Sequence, residues 1–136
     1  MTEVNVYVVG NVVNDPVMVP TKSGVAMCSL RVAVNSRRYD KATQVWLDGD
    51  TTYFSVTCWR GLAENVGASV KKGDPLIVNG KLRVREWSKE EKSGTSVEIE
   101  ATSIGHDLAR GTSKFTRISR SDFESFEVPG GISLTG

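Results

Sequence analysis

One stretch of this chain, GLAENVGASVKKG from Gly61 to Gly73, spaces Leu62, Ala63, Val66 and Val70 along one side of a helix. Lys71 and Lys72 then fall in its last turn, and Gly73 stands where a helix cap belongs. Every other patterned segment alternates apolar and polar residues, the period of a strand. Before the helix come EVNVYVVGNVV, VAMCSLRVAVN and YFSVTCW; after it come PLIVNGKLRVREW and SVEIEATSI. A single helix in the middle of an otherwise alternating chain narrows the possible folds, because it argues against the alternative, a sandwich of two sheets.

The connections are punctuated by turn residues. NDPVMVPTKSG supplies an irregular link, SRRYDKATQVWLDGDTT from Ser36 to Thr52 reads as a long mobile hairpin loop carrying Tyr39 and Trp46, and SKEEKSGT reads as a second hairpin loop. Three strands, a helix and two strands predict an all-β fold, a small five-stranded barrel of the oligonucleotide-binding (OB) type with its helix between strands three and four. In that architecture the second and third strands and the long loops line the ligand face.

The chain has 136 residues, 39% hydrophobic and 24% charged, a size and composition that suit one domain. From Arg110 the sequence becomes richer in Ser, Thr and Gly, which predicts a barrel over residues 1–109 and an extension over 110–136. No apolar run is long enough to span a membrane, and the start MTEVNVYVVG lacks a basic region, long apolar stretch and cleavage site. A cytoplasmic protein with no membrane partner is expected. Cys28 and Cys58 fall on apolar-parity strand positions and are too far apart in sequence for a zinc pattern, so they are read as core residues. With His106 the only histidine and no clustered carboxylate motif, neither catalysis nor a metal or cofactor site is expected.

A net charge of +1 leaves any nucleic-acid argument to where the charges sit. In KLRVREW, alternation puts Lys81, Arg83, Arg85 and Trp87 on one face and turns Leu82 and Val84 toward the core. In the second strand Cys28, Leu30, Val32 and Val34 point inward and Arg31 outward; in the third, Phe54, Val56 and Cys58 oppose Tyr53 and Trp59. Flat aromatic faces beside cations are what sequence-neutral recognition of unpaired bases needs. Tyr53 and Trp59, six residues apart on one strand face, stand about 20 Å apart, room for more than one base between them. Arg37, Arg38, Tyr39 and Trp46 add to the same surface from the loop. Paired amides aimed at base edges are not evident, so little sequence preference is expected.

The same residues carry a family likeness. VVGNVVNDP (Val8 to Pro16), SRRYDKATQVW, TYFSVTCWRGLAENV and VKKGDPLIVNGKLRVREW resemble the bacterial single-stranded DNA-binding proteins over roughly residues 3–110. The resemblance implies a homotetrameric OB barrel that wraps single-stranded DNA and protects it in replication, recombination and repair, in the cytoplasm on the nucleoid. It implies base-stacking at Tyr53, Trp59 and Trp87, and phosphate contacts at Arg38, Lys72, Arg83 and Arg85. RRYDKATQVWLDGD and IGHDLARGTSKFTRI look like the actinobacterial branch, which implies that Thr112 to Ile118 clamp a neighbouring subunit or pack on their own barrel. The family usually closes on an acidic tip ending Pro-Phe that recruits replication and repair proteins. Here the chain ends FEVPGGISLTG, so tail docking of such partners lacks its usual motif. A barrel reused as an assembly module is the rival from another class, and an RNA-binding barrel is not separated by chemistry, since bases stack alike in both acids.

Overall fold

The computed structural model describes residues 3–118. Its elements in chain order are β1 (Asn5–Val12), β2 (Val17–Val19), β3 (Met27–Asp40), β4 (Val45–Trp59), α1 (Arg60–Ser69), β5 (Pro75–Lys89) and β6 (Lys92–His106). One sheet runs β1-β5-β6-β4-β3-β2 and closes into a ring because β1 pairs a second time, with β3. All pairings are antiparallel except β4 with β6, which run parallel from Ser55↔Glu98 to Thr57↔Glu100. The predicted five-strand barrel is therefore present, with a three-residue strand, β2, added on β3 from the segment read as an irregular link.

Closure depends on Gly10. There the β1–β5 ladder is ending, with Gly10 opposite Leu76 and Asn11 opposite Pro75, and on their other edge Asn11 and Val12 pair with Ala33 and Val32 of β3. A Cβ on Gly10 would collide with the Ala33 carbonyl oxygen, so only glycine permits the two backbones to approach this closely. The same crossing buries Ala33, although it shares the outward parity of Arg31.

The interior follows the alternation. Cys28, Leu30 and Val32 of β3, Val56 and Cys58 of β4, Leu76 and Val78 of β5 and Ile99 of β6 pack into one cluster with Val12. Helix α1 adds Ala63, Val66 and its C-cap Val70, and packs on β2, β3, β4 and β6. Each large aliphatic side chain taken from water contributes about 1.5–3 kcal/mol. The helix stops at Ser69, earlier than its sequence pattern indicated. Lys71 and Lys72 lie beyond it in a turn closed by Asp74 N–H donating to the Lys71 carbonyl (3.0 Å), with Gly73 at φ +94°.

Two segments expected to be loops are strands. β3 and β4 stay paired from Met27↔Trp59 to Asp40↔Val45, leaving only residues 41–44 as the turn, and β5 and β6 stay paired to Lys89↔Lys92 around Glu90 and Glu91. Their polar composition hid them because these halves of the hairpins extend past the barrel and have no core to face. What holds them is cross-strand pairing. Tyr39 meets Trp46 edge-on at 5.4 Å, Thr51 Oγ1 donates to Asn35 Oδ1 at 2.7 Å, and the Asp40 carboxylate accepts from Ala42 N–H and Thr43 Oγ1 in the turn. Val84, expected in the core, is 59% exposed for the same reason: β5 has left the barrel by that point, whereas Leu82 still packs on the cluster.

Candidate nucleic-acid interface

Residues directly opposite one another in a ladder share a face of the sheet. Met27↔Trp59, Ser29↔Thr57, Arg31↔Ser55 and Ala33↔Tyr53 join β3 to β4. Ser55↔Glu98 and Thr57↔Glu100 join β4 to β6. Glu100↔Lys81, Glu98↔Arg83, Ser96↔Arg85 and Gly94↔Trp87 join β6 to β5. The outward residues of four strands thus form one continuous face across β3-β4-β6-β5, carrying Arg31, Tyr53, Trp59, Lys81, Arg83, Arg85 and Trp87 together.

Each aromatic on this face is held differently. Tyr53 lies under Arg31, whose guanidinium carbon is 4.9 Å from the ring centroid, a cation–π contact that fixes both side chains. Trp59 ends β4 and is the N-cap residue of α1, so the start of the helix sets its place. Trp87 lies over Gly94, where a side chain on the facing strand would strike its indole. All three stay substantially exposed, although each is large enough to bury, which leaves flat apolar area open to a ligand. A groove of about 300 Å³ lies between Trp59 and the Arg83 and Arg85 side chains, floored by Thr57, Glu98 and Glu100.

The cations are not free. Lys81 Nζ is 3.1 Å from Glu3, Arg83 Nε donates to Glu100 Oε2 at 2.9 Å, and Arg85 Nε is 3.0 Å from Glu98 Oε2. Each arginine leans along the ladder past its directly opposite residue to reach its carboxylate. These glutamates are the site residues that sequence reasoning missed. Their signal was visible, because VEIEA turns Glu98 and Glu100 outward, but their meaning depends on which strand lies beside β6.

The chain has relatives. A family model described as the single-strand binding protein family matches residues 4–107. The chain belongs to the single-strand binding protein family. It is 47% identical over 129 residues to single-stranded DNA-binding protein 2 of Streptomyces avermitilis, a match covering 95% of this chain and 81% of that one. The crystal structure of a small single-stranded DNA-binding protein from Streptomyces coelicolor superposes with a TM-score of 0.74 at 42% identity, covering 82% of this chain and all of that one (100%). The second single-stranded DNA-binding protein of Mycobacterium smegmatis gives 0.65 at 34%, over 85% and 100%. Family membership makes this a binding protein rather than an enzyme, as its sequence predicts.

In this family member, the remaining predicted residues lie off the central face. The β3–β4 ladder alternates through its outer half, so Arg37 (3.9 Å from Asp48) and the Tyr39–Trp46 pair lie on one side of the hairpin while Arg38, opposite Leu47, lies on the other. Lys72 sits in the turn after α1, where its N–H donates to Asp15 Oδ1 at 2.8 Å. A separate hollow of about 430 Å³ lies where β5 starts and β6 ends, beside His106. That imidazole bridges the Asp74 carboxylate and the Ser113 hydroxyl, each at 3.1 Å, tying the first residues of the extension to the barrel. Cys28 and Cys58 face each other across β3 and β4, both fully buried, with Cys58 Sγ donating to the Cys28 carbonyl at 3.6 Å. Burial, then the neighbouring Cys28, pushes the Cys58 thiol up to about 12.

Proposed function

We propose that this protein binds single-stranded DNA with little sequence preference and protects it in replication, recombination and repair, in the cytoplasm on the nucleoid. The observation that carries the reading is the continuous outer face on which Tyr53, Trp59 and Trp87 stand exposed beside Arg31, Lys81, Arg83 and Arg85. Bases stack on the three rings, each stack contributing about 1–3 kcal/mol, and the cations follow the backbone. Arg37, Tyr39 and Trp46 extend the path along the β3–β4 hairpin, with Arg38 and Lys72 at its margins.

Assembly into a homotetramer is part of the proposal. Tyr7 (63% exposed) and Val9 of β1 present apolar area outward, which favours burial against another copy. Phe115, 80% exposed, lies in a segment over residues 111–118 that forms no strand within one chain, which favours the clamp on a neighbouring subunit. The rest of the 110–136 extension, from Ser119, lies outside the described residues, as does SDFESFE, the acidic stretch nearest its end.

Titration with oligo-dT at low salt is expected to quench tryptophan emission and shift the protein in a native gel, with light scattering reporting four copies. Unchanged emission together with no shift would remove the DNA-binding reading. Tighter binding of an oligo-U of equal length would move it toward RNA.

A further inference from the structure

The face just described is electrically self-cancelling along β5 from Lys81 to Arg85. There Lys81, Arg83 and Arg85 are each matched by a carboxylate, those of Glu3, Glu100 and Glu98. Two of these acids stand on β6, the strand between β4, which carries Tyr53 and Trp59, and β5, which carries Trp87. Strand parity gives them no alternative direction, because Ile99 between them is buried in the core cluster. A nucleic-acid chain crossing from one aromatic strand to the other must therefore pass over two carboxylates.

We propose that Glu98 and Glu100 are built-in counterions that limit affinity and set the salt dependence of DNA binding. The proposal rests on the reading of this face as the DNA surface. A phosphate that captures Arg83 or Arg85 must displace a carboxylate. The displaced carboxylate then collects a cation from solution, cancelling the one the DNA released. Each such exchange yields no net counterion release, which is the term that makes binding fall with salt. The centre of the face thereby favours uncharged base planes over phosphates, and the salt-sensitive contacts fall to cations without a carboxylate partner among the described residues, such as Arg31.

The test compares Glu98→Gln, Glu100→Gln and the double variant with wild type, measuring oligo-dT affinity across salt concentrations. Glu64→Gln, on the exposed side of α1, controls for the same charge change away from the face. Each single variant is expected to bind more tightly at low salt and to steepen the log-log slope by about 0.7, the double by about 1.4. Between 50 and 200 mM salt, the advantage over wild type should then shrink about 2.6-fold for each single variant and about 7-fold for the double. Glu64→Gln should keep the wild-type slope. Weaker binding with an unchanged slope, in variants whose thermal unfolding matches wild type, would instead make the carboxylates positioning groups for the arginines and overturn the proposal. Failure of the wild-type protein to bind oligo-dT at all would overturn the DNA-binding reading as well.

Discussion

Replacing Gly94 with alanine separates the DNA face from the fold that carries it. A Cβ at position 94 would lie 2.6 Å from Trp87 Cζ2 and 2.8 Å from Cε2, against about 3.5–4.0 Å for comfortable carbon contact. The indole must lift off β6. It is 46% exposed and can swing into solvent without disturbing the core. Alanine in a strand gains about 0.5–1 kcal/mol over glycine, and the lost cross-strand contact costs about 0.2–1 kcal/mol, so stability should change by less than about 1 kcal/mol. Affinity should fall, because a displaced ring no longer presents its face where a base can stack. A whole stack is worth about 1–3 kcal/mol, or about 5- to 150-fold, and displacement should cost the lower part of that range. The assay is oligo-dT titration of wild type, Gly94→Ala, Trp87→Ala and the double variant, alongside urea unfolding. The double variant should bind no worse than Trp87→Ala, since the methyl acts only through the ring. Wild-type affinity in Gly94→Ala, or losses that add in full, would refute the reasoning.

The core makes two further predictions. Ile99→Ala, at a fully buried position, should lose about 2–5 kcal/mol in urea unfolding; a loss below about 1 kcal/mol would mean the barrel collapses readily around the gap. For Cys58 the sign of the pH effect follows from its raised value. An unfolded thiol ionises near 9.0 and the folded one near about 12, so the folded state keeps its proton longer. That contribution is fully present below pH 9 and is lost as pH rises toward 12, by up to about 1.4 kcal/mol per pH unit. Cys58→Ala should therefore show a shallower stability decline over that range, and the wild-type thiols should react slowly with a bulky reagent until the protein unfolds. Equal slopes, or rapid labelling of the folded protein, would contradict the burial argument.

What could be read in the sequence was whatever strand parity decides. Leu30, Val56 and Leu76 face inward and Arg31, Tyr53 and Trp59 outward because alternation next to a core allows nothing else. Parity failed where the core ends: Val84 has the right phase for the interior but lies on a hairpin arm with no interior beneath it. It also could not show that the arms were strands, since Arg37 to Trp46 are held by polar and aromatic pairs rather than by an oily face. Charge was the least legible property. Arg83 and Arg85 looked like a bare cationic stripe in KLRVREW, and only the pairing of β5 with β6 places Glu100 and Glu98 against them.

The ring is fastened unevenly. The β3–β4 hairpin, which carries Arg31, Tyr53 and Trp59, is joined to the rest of the barrel by short ladders, Ser55–Thr57 against Glu98–Glu100 of β6 and Val32–Ala33 against Asn11–Val12 of β1, with β2 and α1 lying against it. Backbone hydrogen bonds alone would leave that half of the face hinged. What fixes its angle is the oil behind it, Leu30, Val32, Val56 and Cys58 set against Leu76, Val78 and Ile99. Two aromatic rings of the outer surface are thus aimed from inside the molecule, and the alignment of Tyr53 and Trp59 with Trp87 is a property of the packing of side chains that no ligand touches.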